Sequence, residues 1–239
     1  MTNDVEIKRA LTNANVLERL IAKIGGHRLD INLFLDELAD SPRTFDNLAH
    51  MVCYSKRYIL GDPHNFETPQ DFVDWSTSEQ NAPYLVVKDL YLYDHSGLRL
   101  STAPFDDPWD SGQLGWVYVD LRETSRRCKN KEYSELSEDE KEELRKQAEE
   151  IIEAEVVIYD KYLYGDVYAY CIDVYHVTPD GYEKRLDDLC DSCGGFYGLR
   201  YFREIVRDTV TQILQGMLNC SKEKAEDLYE LILAESEVL

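Results

Sequence analysis

The stretch Tyr84-Leu-Val-Val-Lys-Asp-Leu-Tyr-Leu-Tyr-Asp-His-Ser-Gly-Leu-Arg-Leu-Ser-Thr-Ala-Pro-Phe-Asp-Asp-Pro-Trp-Asp-Ser-Gly-Gln-Leu-Gly-Trp-Val-Tyr-Val119 decides the fold. Leu85, Val87, Leu90 and Leu92 mark apolar faces on either side of Lys88 and Asp89, where the parity switches as at a β-bulge. His95-Ser96-Gly97 has the composition of a hairpin connection. After a loop dense in Pro, Asp and Trp, Trp116 and Tyr118 alternate with Val117 and Val119 in a third strand. Strand, tight turn, strand, long loop and strand predict an antiparallel sheet.

Outward from this hairpin the pattern turns helical. Between Glu132 and Glu155 there are 11 acidic and three basic residues. Ser137 and Glu140 fit a capping box, each side chain satisfying an orphan backbone donor. Leu144, Ala148, Ile151, Ile152, Val156, Tyr159 and Leu163 then form one stripe, which predicts an acidic helix over about 138–163, ended by Gly165. A hairpin follows, with one strand over 167–177, a turn at Pro179-Asp-Gly181 and a return strand from Tyr182 toward Cys193. Gly194-Gly-Phe-Tyr-Gly198 reads as a tight loop. Helical spacing resumes over 199–218, and Ser221 caps a last helix that extends to about 236.

Toward the N-terminus, Leu11, Val16, Leu17, Leu20, Ile21 and Ile24 lie at helical spacing before Gly25-Gly26. Ile31, Phe34, Leu35 and Leu38 repeat it, so two helices are expected within 1–45. The run from Leu48 to Leu60 suits an extended segment. Thr68-Pro69-Gln-Asp71 is a helix start, with a capping hydroxyl and Pro at the first position. The expected fold class is α+β. A central antiparallel sheet over about 48–198 takes helices from both ends of the chain and one long acidic helix, all in a single domain over 1–239.

With 239 residues, 44% hydrophobic, the chain can bury a sizeable core. No run approaches the roughly 20 apolar residues of a membrane helix, and Met1-Thr-Asn-Asp-Val-Glu lacks the order of a signal peptide. A cytoplasmic protein is expected. The 47 acidic against 26 basic residues give a net charge of −21. That field repels nucleic acid, which needs basic stripes to displace its counterions, and it favours a protein partner with a basic surface. The six cysteines are expected to be mostly reduced.

Asp94, His95 and Asp110, with Asp106 and Asp107, are the residue types of a divalent-metal or acid–base site. Their spacing fits no metal signature, and Asp-His-Ser-Gly is also ordinary turn chemistry, with side chains bonded to the loop's own backbone. Cys190-Asp-Ser-Cys193 is a lone CxxC followed by glycines rather than by a helix. Ser111 lacks the surroundings of a nucleophile elbow, the five histidines have no metal spacing, and no phosphate-cradling loop appears. The remaining candidates are surfaces. One is the loop of Phe105, Asp106, Asp107, Trp109 and Asp110 with Trp116. The other is the helix face of Glu142, Glu143, Glu149 and Glu150, either a solvated face or a ladder of carboxylates imitating duplex phosphates.

Three pieces together resemble an uncharacterised family of acidic proteins encoded by phages, prophages and other mobile elements. They are Met51-Val-Cys-Tyr-Ser-Lys-Arg-Tyr-Ile-Leu-Gly-Asp-Pro-His64; Leu92-Tyr-Asp-His-Ser-Gly97 with Ser101-Thr-Ala-Pro-Phe105 and Pro108-Trp-Asp-Ser-Gly-Gln-Leu-Gly115; and Tyr159 to Tyr170 with Asp191-Ser-Cys-Gly-Gly-Phe-Tyr-Gly198. The resemblance covers about residues 48–200. Gly194 stands where the family's last motif has Trp. The resemblance implies an accessory protein that binds and inhibits a host protein, such as a nucleic-acid-handling defence complex, by analogy of habitat rather than of a site. The competing expectation is a small metal-dependent hydrolase or nucleotide-processing enzyme using Asp94, His95, Asp106, Asp107 and Asp110. A scaffolding role and a homo-oligomer are further expectations, and the residues name no cofactor.

Overall fold

In the computed structural model, which describes residues 6–9 and 16–236, the chain enters as three strands, β1 (Glu6–Arg9), β2 (Val16–Ile24) and β3 (His27–Leu35). The helices expected over 10–24 and 31–39 are therefore absent from residue 16 onward, and residues 10–15 of the first lie outside the described residues. Leu20, Ala22 and Ile24 alternate toward the core, opposite Leu29, Ile31 and Leu33 of β3. Leu17 and Ile21, which completed the helical spacing, belong to the other parity, and Leu17 is 43% exposed. Gly25 and Gly26 sit at φ +58° and +77° and close a two-residue hairpin, which requires positive φ at both positions.

Asp40–Tyr164 forms a compact unit of its own. It contains β4 (Ala49–Cys53), α1 (Pro69–Thr77), β5 (Leu85–Asp94), β6 (Leu98–Ser101), β7 (Ser111–Asp120), the single turn α2 (Leu121–Thr124) and the 27-residue α3 (Glu138–Tyr164). The antiparallel sheet runs β4-β7-β5-β6. The β5–β6 hairpin turns at Ser96 and Gly97, both at positive φ. The expected bulge is present, displaced from Lys88–Asp89 to between Leu90 and Tyr91. The helix starts also follow the sequence reading. Thr68 and Asp71 form a capping box on α1. At α3, Glu140 N–H donates to Ser137 Oγ at 3.2 Å and Ser137 N–H to the Glu140 carboxylate at 2.8 Å. That backbone donor, with the Lys131 ammonium, lowers the Glu140 carboxyl to about 2.

Leu144, Ala148, Ile152, Val156 and Tyr159 of α3 pack with Met51, Leu90, Val117 and Val119 on one face of this sheet. On the other face Trp116 stacks on Phe72 of α1 at 5.0 Å, and Trp75 meets Tyr118 edge-on at 5.2 Å. The sheet is covered on both sides.

The remaining elements are β8 (Val167–Val177), β9 (Glu183–Arg185), β10 (Asp191–Tyr197), α4 (Leu199–Leu218) and α5 (Lys222–Ser236). They complete a second unit, Met1–Ala39 with Gly165–Leu239. Its sheet runs β1-β2-β3-β8-β10, with β9 paired to β8. The sheet core expected as one over 48–198 thus divides between two sheets, because β8 pairs with β3. Residues 194–197, read as a loop, continue β10 through a bulge between Cys193 and Phe196. Phe202, Val206, Val210 and Leu214 of α4 and Ile232 of α5 pack with Leu29, Ile31 and Ile172 in this unit's core.

Candidate binding surface

The hairpin and the Pro-rich loop of the four-stranded unit meet the segment after β4 in a cleft of about 390 Å³, lined by Tyr54 to Tyr58, Asp94 and Trp109 to Leu114. Its loop wall is held by its own side chains. Asp107 Oδ1 accepts from the backbone N–H groups of Trp109 at 2.9 Å and Asp110 at 3.2 Å, and the Ser111 hydroxyl donates to the Asp107 carbonyl. This self-bonded turn leaves the Trp109 side chain in solvent, 93% exposed, on a fixed backbone.

The other candidate residues of this loop separate in space. Phe105 packs on Tyr93 at 5.6 Å, and Asp106 is exposed. Trp116, grouped with Trp109 from the sequence, stacks within the α1 cluster and is not a solvent anchor, because its strand parity turns it toward Phe72. The residues that join Trp109 are Arg57 and Tyr58. Arg57 Nη1 donates to Asp94 Oδ2 at 2.7 Å, and the Tyr58 hydroxyl donates to Asp94 at 3.1 Å. Ile59, next in the chain, is 103% exposed. A basic pair followed by aromatic and aliphatic residues, Lys56-Arg57-Tyr58-Ile59, is unusual in so acidic a chain. That is the signal that could have found this wall.

His95 Nδ1 lies 2.9 Å from Asp110 Oδ2. Such a pair orients an imidazole as a base, yet no hydroxyl or thiol among the described residues bonds to His95 Nε2, and Ser111 is bonded to a carbonyl. Asp94 already holds a guanidinium and a phenol. Among the described residues no group of three or more His, Cys, Asp or Glu side chains could hold a metal ion. The set Asp94, His95 and Asp110 is therefore not assembled as ligands, and Asp106 and Asp107 do not complete it. Cys190 and Cys193 lie at the start of β10, both unbridged, with the Cys190 thiol donating to the Leu186 carbonyl at 3.3 Å.

The carboxylates of α3 fall into two groups. Glu155 accepts from Leu48 N and Ala49 N at 3.0 and 3.1 Å and from Arg43 Nη1 at 3.0 Å. Asp160 accepts from Leu100 N at 2.7 Å and holds the Arg99 guanidinium at 2.9 Å. Glu153 takes the Lys88 ammonium at 2.8 Å. Burial opposes its ionisation, but hydrogen bonds from Lys88 and Thr102 outweigh this and lower its pKa. By contrast Glu142, Glu143, Glu149 and Glu150 are exposed. Glu142 and Glu143 make only loose pairs, at 3.7 Å to Lys146 and 3.6 Å to Lys129. No helix among the described residues is long and apolar enough to cross a membrane. Comparison with protein-family models, with curated proteins and with solved structures finds no match for the chain.

Proposed function

We propose that this is a binding protein, an accessory product of a phage or other mobile element that attaches to a host protein in the host cytoplasm and inhibits it. The observation that carries this reading is Trp109. It is a large aromatic side chain in water, mounted on a loop whose backbone is already fixed by Asp107. An exposed indole on a fixed backbone has only its two side-chain torsions to lose on binding, and tryptophan dominates interface energetics when desolvated. Ile59 offers a second apolar contact on the segment that lines the cleft. Glu142, Glu143, Glu149 and Glu150 supply a negative field that steers the encounter. The partner chemistry that fits is a protein with a basic surface, as nucleic-acid-handling defence complexes have, with no nucleic acid in the contact.

Affinity capture from host lysate at moderate salt tests this. The expected result is one stoichiometric partner, lost with Trp109→Ala and weakened when Glu142, Glu143, Glu149 and Glu150 are changed to Lys. No stoichiometric partner, or capture indifferent to both variants, would overturn it.

A further inference from the structure

In the four-stranded unit β4 and β6 are the outer strands, and β6 covers only residues 91–94 of β5. The register shows where the rest of β5 points. Met51 N–H is taken by the Asp62 carboxylate at 2.8 Å, so Met51 and its partner Val117 turn their backbone groups away from each other. Val117 therefore bonds to Lys88 on its other side. Val87 and Asp89, which flank Lys88, direct their N–H and C=O groups away from β7. Among the described residues nothing takes these four groups. Both residues are exposed, Val87 at 37%. By contrast the outward N–H groups of Ala49, Met51 and Leu100, on β4 and β6, are taken by the Glu155, Asp62 and Asp160 carboxylates.

Two features border this open stretch. On the α1 side lies a groove of about 420 Å³ with Phe72, Val73, Val87 and Trp116 as its apolar wall. Asp89, which also lines it, is engaged by Gln113 Nε2 at 3.0 Å and by the Tyr91 hydroxyl at 3.3 Å. On the α3 side, Arg145 Nη2 donates to the Pro83 carbonyl at 3.2 Å, Glu153 takes Lys88 and Asp160 takes Leu100 N–H, so this flank of α3 runs along β5 and then β6. Glu149 lies on the same flank, four residues from both Arg145 and Glu153. It is about three turns, or about 16 Å, from Asp160, which matches about five residues of strand. That brings Glu149 level with Val87, since Asp160 is level with Leu100 and its partner Leu92. Glu149 is exposed and makes no ion pair among the described residues. It stands to the open stretch of β5 as Asp160 stands to β6.

We infer that the open edge of β5 at Val87 and Asp89 accepts an extended segment of a partner protein as an added antiparallel strand, in line with β6. Side chains of an added strand alternate between the two sides of the sheet. Apolar ones enter the groove over Phe72 and Trp116, and a Lys or Arg between them meets Glu149. The segment that fits therefore alternates apolar and basic residues. The same edge of a second copy does not fit, because it would bring together the acidic flanks of two α3 helices in chains of net charge −21. The added strand uses neither Trp109 nor its cleft, so it goes beyond the binding function proposed above and is tested apart from it.

Calorimetric titration of the full chain with an alternating Val-Lys decapeptide tests it. The expected result is saturable one-to-one binding. In an antiparallel pair the residues opposite Val87 and Asp89 share their side of the sheet and exchange backbone bonds with them. N-methylation of the peptide's valines therefore weakens binding about tenfold or more, whereas N-methylation of its lysines, whose N–H groups face water, leaves it within about threefold. Glu149→Lys weakens binding of the Val-Lys peptide about fivefold and strengthens that of a Val-Glu decapeptide by a similar factor, an exchange that misfolding cannot produce. Glu138→Lys makes the same change of net charge more than a Debye length away and alters neither by more than about twofold. No saturable binding, equal or reversed losses from the two methylated peptides, or no exchange at Glu149 would overturn the proposal.

Discussion

The four-stranded sheet of Asp40–Tyr164 is covered on both faces, by α3 on one and by the aromatic side chains around α1 on the other. The sheet built from β1–β3 and β8–β10 packs α4 and α5 on one face and carries an ionic network on the other. There Asp30 lies directly opposite Asp173 in the register, a like-charge pairing that destabilises unless each has its own cation. Arg28 Nε meets Asp30 at 2.9 Å and Arg185 Nη2 meets Asp173 at 2.7 Å. The first unit instead uses its charges at the sheet edges. Glu155 and Asp62 take the Leu48, Ala49 and Met51 N–H groups along β4, Arg43 joins the two carboxylates and donates to the Ala49 carbonyl, and Asp160 takes Leu100 N on β6. Edge strands left open are templates for pairing with other chains. Carboxylates so engaged are structural, which leaves the outward acids of α3 for contact with other molecules.

The comparison breaks first at Arg43, whose side chain is 6% exposed between Asp62 and Glu155. Arg43→Met leaves two partly buried carboxylates unpaired and should cost about 3–5 kcal/mol in urea unfolding. All three tryptophans, Trp75, Trp109 and Trp116, lie in this unit, so their fluorescence reports its transition. A cost below about 1 kcal/mol would mean that the edge closure is dispensable.

Acid should act with opposite sign on one carboxylate of each unit. Burial opposes ionisation of Asp120, but hydrogen bonds from the Arg122 guanidinium and backbone outweigh it and lower its pKa. Its contribution is full above the unfolded value of about 3.8 and is lost as the pH falls through the lower folded value. Burial dominates at Asp30 and raises its pKa despite Arg28. Its ionised form therefore costs stability at neutral pH, and that cost is relieved as the pH falls through the raised value. Asp120→Asn should flatten the decline of the urea midpoint between about pH 5 and pH 3. Asp30→Asn should steepen it, as followed by circular dichroism. The same sign for both would contradict these assignments.

Arg185→Ala sharpens the contrast with Arg43. Its bond to Asp173 is as short as that of Arg43 to Asp62, but its side chain is 47% exposed, so the loss should stay within about 1 kcal/mol. Smallest of all, Glu149→Gln with Glu150→Gln should change stability by no more than about 0.5 kcal/mol while still altering association. A larger stability change would move these two acids into the structural group.

Much of this was legible in local signals. The acidic helix, its capping box, the β5–β6 hairpin, α4 and the start of α5 follow from spacing and capping residues, because each is decided within a few neighbouring positions. The N-terminal hairpin was misread for a physical reason. Leu17, Leu20, Ile21 and Ile24 satisfy helical spacing only because β2 carries apolar residues on both parities. The strict alternation of Leu29, Ile31 and Leu33 was the better signal, and Gly25-Gly26 is as good a hairpin turn as a helix stop. The division into two sheets was not legible, since pairing of β3 with β8 joins residues more than a hundred positions apart. At the candidate site Trp109 was named by residue type, and the fold leaves it exposed at the cleft. Trp116 was misplaced because strand parity, not composition, turns it inward, and Arg57 and Tyr58 were missed because only the fold brings them beside the loop.

The most direct measurement is site-specific photocross-linking in host cells, with benzoylphenylalanine in place of Trp109 and, as a control, in place of Tyr182, which is 66% exposed in the other unit. A binding protein that anchors through this loop should give one dominant cross-linked host protein from position 109 and not from 182. No adduct at 109, or the same adducts from both positions, would contradict the assignment of Trp109 as the anchor.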